Sequence, residues 1–390
     1  MDRDVRVCHV ITRLEMGGAQ DNTLYTAAHL GPPFAPSLIC GPGGLRDDDA
    51  RRSGVPVTFV PSLVREIRPA RDLAALAALI RIFRRERPAI VHTHSSKAGI
   101  VGRLAARIAG VPVVVHSVHG FGFNATQPRP IRSLFVGLER AVAPLTTHFV
   151  VVARANLDLG VRLGVIRPDR ATLIRSGVRL ADFERAAADP ALRNGAGLRG
   201  ELGIPSGTPI IGLIACLKPQ KAPLAFVEVA ARVAAENPGA HFVVAGDGEL
   251  RPAVESRIRA LGLDGRVHLL GWRRDIPRLL VALDVMVLTS LWEGLPRVLP
   301  EAIAAGVPIV ATGVDGTNDI LRDGETGVVR SPGDLDGLAR GVLAILRDPE
   351  TGRVMTGRAR RALGEFDIDR MVRAQERLYL SLLERESVTS

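Results

Sequence analysis

Four side chains stand out for the chemistry they could do. Lys218 and Lys221 share one short loop, and Glu293 and Glu301 flank another with seven residues between them. Of the 51 Lys and Arg, only Lys97, Lys218 and Lys221 are lysine. Arginine serves wherever surface charge suffices, so a retained lysine points to a compact cation on a flexible stem, suited to a phosphate or a tight pocket. The segment Ile214-Ala215-Cys216-Leu217-Lys218-Pro219-Gln220-Lys221-Ala222 follows an apolar run that starts at Pro209. It reads as a strand end entering a loop before a helix, where α/β proteins bind anions.

The second loop is Thr289-Ser290-Leu291-Trp292-Glu293-Gly294-Leu295-Pro296-Arg297-Val298-Leu299-Pro300-Glu301-Ala302. Pro296 suits the first position of a helix. Pro300 has no N–H to donate, so the helix starts late or bends there. Either way, Glu293 lies on a loop at a strand's C-terminal end and Glu301 in a helix's first turns. Backbone amides between them can face an anion with the helix dipole behind them. A carboxylate only accepts hydrogen bonds, which suits gripping sugar hydroxyls.

Other candidates are weaker. His92 and His94 point to one side of a strand end, with His116 and His119 as possible neighbours, and four histidines can hold zinc. No cysteine or acidic ligand has spacing to support that, and strand-end packing or substrate contact fits better, so no metal is expected. Asp-x-Asp occurs at Asp2/Asp4, Asp47/Asp49, Asp334/Asp336 and Asp367/Asp369, each away from a convincing sheet strand. These read as turn or capping residues. Gly195 to Gly200 matches G-x-G-x-x-G but follows no strand, so the dinucleotide mechanism is absent. Met16-Gly17-Gly18-Ala19-Gln20 follows the first strand, and its glycine pair lets a ligand approach the backbone. Asn124-Ala-Thr126 matches a glycosylation sequon, which is moot in a cytosolic chain.

The elements that position these residues alternate in type. Strands are expected near Val5–Ile11, Val57–Val60, Ile90–Thr93, Val113–Ser117, His148–Val152 and Ala171–Ile174. A second set fits Ile210–Ala215, His241–Ala245, Val267–Leu270, Asp284–Leu288 and Pro308–Ala311. Helices fit between them, among them Asp72–Glu86, Lys97–Ala109 and Arg132–Ala143. Alternation of this kind gives parallel sheets covered on both faces. Two successive sets predict two doubly wound, Rossmann-like domains, over 1–180 and 206–366, joined by a linker at 181–205. Residues 367–390 read as one C-terminal helix able to pack back on either domain.

A chain of 390 residues with 46% hydrophobic content is long and apolar enough for two cores, which excludes disorder. Three scattered cysteines imply a reducing compartment, and the start Met1-Asp2-Arg3-Asp4 shows no signal-peptide pattern. No apolar stretch reaches membrane-spanning length. A cytoplasmic location is expected, peripheral on the inner face of the cell membrane. The net charge of +10 is uneven: 28 basic against 16 acidic residues in 1–200 leave +12, and 23 against 25 in 201–390 leave −2. The first half therefore seeks an anionic partner. Aromatics are only 4% of the chain, too few for a base-stacking platform, so nucleic acid is not that partner. Two apolar stretches with basic edges fit either an ordinary core-facing helix with a solvated edge or, given the confined +12, an anionic membrane surface. One is Asp72 to Arg87, with Leu73, Leu76, Leu79, Ile80 and Phe83 beside Arg81, Arg84, Arg85 and Arg87. The other is Phe121 to Ala143, with Phe121, Phe123, Ile131, Leu134, Phe135 and Leu138 beside Arg129, Arg132 and Arg140.

Over nearly its whole length the chain resembles glycosyltransferase family 4, retaining nucleotide-sugar enzymes with the GT-B fold. The matching segments include Gly17-Gly18-Ala19-Gln20, His92-Thr-His94-Ser-Ser-Lys97-Ala-Gly99 and His116-Ser-Val-His119-Gly-Phe-Gly-Phe123. They continue through the Lys218/Lys221 loop, Val244-Ala-Gly246-Asp-Gly248, Glu293 to Glu301 and Asp323-Gly-Glu-Thr-Gly327. The E-x7-E element is the specific one. The resemblance implies that the two domains face a central cleft, the first binding acceptor and the second the donor nucleotide. Glu301 would hold the ribose diol, Lys221 the diphosphate, and Glu293 the donor sugar, helped by backbone of Gly294, Leu295, Pro296, Arg297 and Val298. Gly17, Gly18, Lys218 and Gly271 would complete the donor site. His119 would line it near the reacting centre, making His119, Glu293 and Lys221 the catalytic set. The family usually has Arg at Cys216, Gly at Ala222 and often Glu at Asp319. Lys218 offers the missing charge without a bidentate fork.

The expected function is transfer of a hexose from a nucleotide-diphosphate sugar, uridine-linked, to a lipid-linked saccharide or polysaccharide precursor, with retention. The resemblance is to bacterial enzymes of cell-surface polysaccharide assembly. No cofactor or metal is expected beside the donor. The alternatives are a nucleotide-sugar epimerase on the same fold and a non-catalytic nucleotide-sugar-binding protein.

Overall fold

The computed structural model describes residues 4–389 except 125 and 194, so Asp2 and the centre of the Asn124 sequon lie outside it. The chain forms two compact units, Met1–Gly177 with Ile368–Ser390, and Val178–Asp367.

The first unit holds seven strands: β1 Val5–Arg13, β2 Phe34–Gly41, β3 Val57–Phe59, β4 Ile90–His94, β5 Val113–Val118, β6 His148–Val151 and β7 Ala171–Leu173. All pair in parallel, in the order β3-β2-β1-β4-β5-β6-β7. Their near-continuous apolar runs reflect burial on both faces. One face carries Val7, Ile90, Val113 and Val115 against Met371, Val372, Tyr379 and Leu382 of the Ile368–Thr389 helix. The other carries Cys8, Val10, Val91 and Val114 against Leu79 and Phe83 of the Pro69–Glu86 helix and Ala98, Ala105 and Ala106 of the Ser96–Ala109 helix. The C-terminal helix thus belongs to the first unit. Its apolar stripe covers that face of the sheet together with Tyr25 and Leu30.

β2 is absent from the expected strands because Pro36 lies within it, and a proline cannot donate to a ladder. The buried run Leu38 to Cys40 overrides that local signal. Below the Arg129–Val142 helix a fully buried Arg103 donates to Glu139 Oε2 at 2.6 Å and to the Gly99 carbonyl at 2.8 Å. This pair fixes which face of that helix is inward.

The second unit holds β8 Ile210–Ile214, β9 His241–Ala245, β10 Val267–Gly271, β11 Val285–Leu288, β12 Ile309–Thr312 and β13 Val328–Arg330. The order is β10-β9-β8-β11-β12-β13, again parallel. β13, three residues between glycine-rich turns, is too short for the sequence pattern to reveal. Residues 181–205, expected as a linker, carry helices over most of their length, Leu180–Ala188, Pro190–Arg193 and Ala196–Leu202, and belong to this unit. Leu180, Phe183 and Leu198 are buried, so the stretch is folded structure. In each sheet the strand order reverses beside the first strand, between β1 and β4 and between β8 and β11. Ligands of open α/β sheets bind outside the strand C-termini at such points.

Candidate functional site

Two loops leave the second sheet at its reversal point: residues 215–222 after β8 and residues 289–297 after β11. They are stitched together. Leu291 N donates to the Gln220 carbonyl at 2.8 Å, and Gln220 Nε2 to the Trp292 carbonyl at 3.0 Å. Thr289 Oγ1 donates to the carbonyls of Lys221 and Ala222 at 3.0 and 3.1 Å. Ala222 sits at φ 43°, ψ 55°, a left-handed conformation that a Cβ disfavours, and turns the chain into the Pro223–Glu236 helix.

Glu293 is only 6% exposed, and both its Oε1 and its backbone N–H are engaged. Its Oε1 takes a short charged bond from Lys221 Nζ and one of 2.6 Å from Ser290 Oγ. Its backbone N–H donates to Asp315 Oδ2 at 2.9 Å. Asp315, on the loop after β12, is held at φ 36°, another strained non-glycine position. Burial raises its pKa, and the nearby Glu293 charge adds to that against the bond from the Glu293 N–H. The loop approaches this closely because Gly316 lacks a side chain: a Cβ there would lie 2.1 Å from the Gly294 carbonyl oxygen.

The helix after Glu293 spans Val298–Ala305 and so begins late, past Pro296. Pro300 occupies its third position, where a missing N–H breaks no intrahelical bond. Glu301 lies in its first turn, with Arg297 3.8 Å away. Gly294, Leu295, Pro296, Arg297 and Val298 form the link between the two glutamates. Lys218 stands half-buried on the first loop, three residues from Lys221. Gly271 ends β10 at φ 64°, its carbonyl taken by the Gly246 N–H at 2.8 Å. Lys221 and Glu293 are thus ion-paired with each other. The sequence reading missed Ser290 and Asp315. Ser290 had a signal in its spacing from Glu293, and Asp315 had none.

In the first unit, His119 follows β5. Its Nε2 lies 3.2 Å from His94 Nδ1, and His94 Nε2 lies 3.1 Å from His9 Nδ1. His92 bonds to Tyr379 Oη at 2.5 Å and to Ser117 Oγ at 2.8 Å. His116 is turned to the other face of the sheet, onto Thr93 Oγ1 at 2.9 Å, so the four histidines weighed for zinc do not assemble as one set. Alternation along β5 is the reason: His116 and Ser117 point to opposite faces. His9, missed earlier, takes its place, and ring nitrogens of His9, His92 and His94 lie within 4.8 Å of one another. That cluster contains no carboxylate to offset a dication. Burial pulls all three pKa values down, that of His9 to about 3, so the rings are neutral.

Gly17 and Gly18 sit where the Gly18–His29 helix begins. Lys97 pairs with Asp72 at 2.6 Å and with the Glu66 carbonyl, a role internal to the first unit. Asp47, Asp49 and Asp334 make local bonds to the Gly43 N–H, Arg46 and the Gly337 N–H, as turn or capping residues, whereas Asp336 bonds Arg232 and Asp369 bonds Tyr25 on distant elements. Of the two basic-edged apolar stretches, the Pro69–Glu86 helix buries Leu79 and Phe83 but exposes Leu73 at 67%, and the Arg129–Val142 helix exposes Ile131, Leu134 and Leu138 at 46%, 58% and 37%. Among the described residues, no helix is long and apolar enough to cross a membrane.

Residues 17–177 match the model of the glycosyl transferase 4-like domain, and residues 208–348 that of glycosyl transferases group 1. An Escherichia coli protein, UDP-Gal:alpha-D-GlcNAc-diphosphoundecaprenol alpha-1,3-galactosyltransferase, is 32% identical over 97% of each chain. Alpha-D-kanosaminyltransferase of Streptomyces kanamyceticus is 32% identical over 68% of this chain and 70% of its own. Among solved structures, Anabaena HepE in complex with UDP and glucose superposes with a TM-score of 0.83 at 20% identity, covering 97% of this chain and all of that one.

Proposed function

Because this chain belongs to the group 1, family-4-like glycosyltransferases and has their GT-B fold, we propose that it moves a hexose from a UDP-sugar to a lipid-linked diphosphate acceptor carrying N-acetylglucosamine, with retention. The carrying observation is the constellation of Lys221, Glu293, Ser290 and Asp315 at the reversal point of the second sheet. The activity named for the E. coli relative, which matches along 97% of both chains, supports the acceptor class and the UDP donor.

In this reading Glu301 holds the ribose diol, and Lys221, with Lys218, neutralises the diphosphate. Glu293 grips the donor sugar. The backbone from Gly294 to Val298 and the amides near Arg297 complete the leaving-group site, with Gly271, Gly17 and Gly18 also lining the donor. Fixed donors aimed at developing charge contribute typically ~10²–10³ in rate each. No divalent metal takes part, since lysines and helix-terminal amides answer the charge. His119 meets the substrates near the reacting centre. Attack from the face that the diphosphate leaves retains the configuration without a separate nucleophile. The protein adsorbs to anionic membrane through its first unit, where Ile131, Leu134 and Leu138 stand out beside Arg129 and Arg132. Its product belongs to cell-envelope polysaccharide assembly.

The test is mass spectrometry of products from a panel of nucleotide sugars with an N-acetylglucosamine-diphospho-polyprenol. Added hexose mass on that lipid from a UDP-sugar is expected. Free sugar alone, or an epimerised donor, overturns the reading.

A further inference from the structure

Asp315 holds a backbone conformation that its own side chain disfavours. At φ 36° a Cβ crowds the following carbonyl, and a glycine would make the same turn without strain. Aspartate tolerates this region when its short side chain bonds locally. Here the bond is not local: Oδ2 accepts the N–H of Glu293, 22 residues away, at 2.9 Å. The Asp315 carbonyl takes the Asn318 N–H at 3.2 Å, and Gly316 packs on the Gly294 carbonyl, so the strained residue is held from both sides. Strain of this kind persists where the surroundings over-determine it, and it clusters at ligand clamps.

The surroundings of Glu293 show what is being held. Its Oε1 takes Lys221 Nζ and Ser290 Oγ. The Ser290 carbonyl in turn takes Thr312 Oγ1 at 2.5 Å, which ties Ser290 to the same loop as Asp315. Among the described residues, nothing bonds Oε2. A carboxylate anchored at one oxygen can pivot about it. Fixing the backbone N–H at the other end of the residue stops that pivot and sets the direction of Oε2. A carboxylate oxygen only accepts, so what Oε2 takes is a donor such as a sugar hydroxyl. We infer that Asp315 is a positioning residue that fixes Glu293 through its backbone N–H and thereby presents Oε2 to one hydroxyl of the donor sugar. This rests on the reading in which Glu293 grips that sugar.

The test follows transfer from UDP-glucose or UDP-galactose, whichever the unaltered chain uses, to N-acetylglucosamine-diphospho-polyprenol. Asp315→Gly removes the acceptor and the backbone strain together, so their effects on stability oppose each other and Tm should stay within a few degrees. Its kcat should fall about tenfold, with KM and the affinity for UDP by calorimetry little changed. Asp315→Asn keeps a side-chain oxygen for the Glu293 N–H and tolerates the same φ, so turnover should return to within a few-fold. In a Glu293→Ala background, Asp315→Gly should have no further effect. Full turnover in Asp315→Gly, an Asn variant as slow as the Gly variant, or equal slowing with and without Glu293 would each overturn the inference. Glu293→Ala at full turnover would instead defeat the reading in which Glu293 grips the sugar, and this role with it.

Discussion

Replacing Lys221 by methionine separates the two duties the structure gives it. The ammonium is paired with Glu293, whose carboxylate otherwise accepts, among the described residues, from Ser290 alone. Methionine keeps most of the stem and removes the charge. Loss of a charge-assisted hydrogen bond to the donor diphosphate costs about 1.5–3 kcal/mol, or roughly ten- to 150-fold in affinity. Loss of the partner of Glu293 strands a buried carboxylate, at about 1–3 kcal/mol of stability. For a unit of this size each kcal/mol lowers Tm by roughly 2–4 °C. Adding Glu293→Gln to Lys221→Met removes the stranded charge, so Tm should partly recover while nucleotide affinity stays low. Titration calorimetry with UDP and thermal melts of the two single variants and the double variant measure both terms. If Lys221→Met binds UDP as tightly as the unaltered chain, the lysine does not hold the diphosphate. If its Tm is unchanged, the pair with Glu293 contributes nothing.

Other outcomes follow from the same geometry. Glu301→Ala should mainly weaken UDP binding by calorimetry, and Glu293→Ala should mainly slow transfer; the reverse pattern would exchange their roles. Transfer should survive exhaustive chelation, and a loss restored only by Mg²⁺ or Mn²⁺ contradicts a lysine-and-amide leaving-group site. Leu134→Asp, or charge reversal at Arg129 and Arg132, should abolish co-sedimentation with anionic vesicles at low salt, and binding that ignores these changes places the membrane face elsewhere. His9 titrates near 6.5 unfolded and near 3 when folded, so folding excludes its proton, and His92, His94 and His116 shift the same way. The stability they contribute is complete above the unfolded value and is lost as pH falls, by ~1.4 kcal/mol per pH unit for each ring that stays neutral. Melting temperature should therefore drop steeply between about pH 6.5 and 5; a flat profile would mean that the histidines are not held neutral.

Much of this protein is determined locally. Apolar runs of strand length recurring between amphipathic helices specify parallel strands, because only a sheet covered on both faces buries such runs completely. The placement of Lys221 and Glu293 at the ends of β8 and β11 follows from that alternation and from the glycines and prolines that stop each strand. Contacts between distant segments are not local, and tertiary structure alone decided them. Glu293 and Lys221 are 72 residues apart, and their pairing depends on β8 and β11 being neighbours in the sheet. Asp315 reaches Glu293 only because Gly316 lets a third loop press against Gly294. His9 joins His94 across 85 residues because β1 and β4 are adjacent, while His116, two strand residues from Val118, turns to the opposite face. The C-terminal helix shows its stripe in sequence, but its amphipathic pattern names no partner. The apolar face of the first sheet, at Val7, Ile90 and Val115, is what it covers.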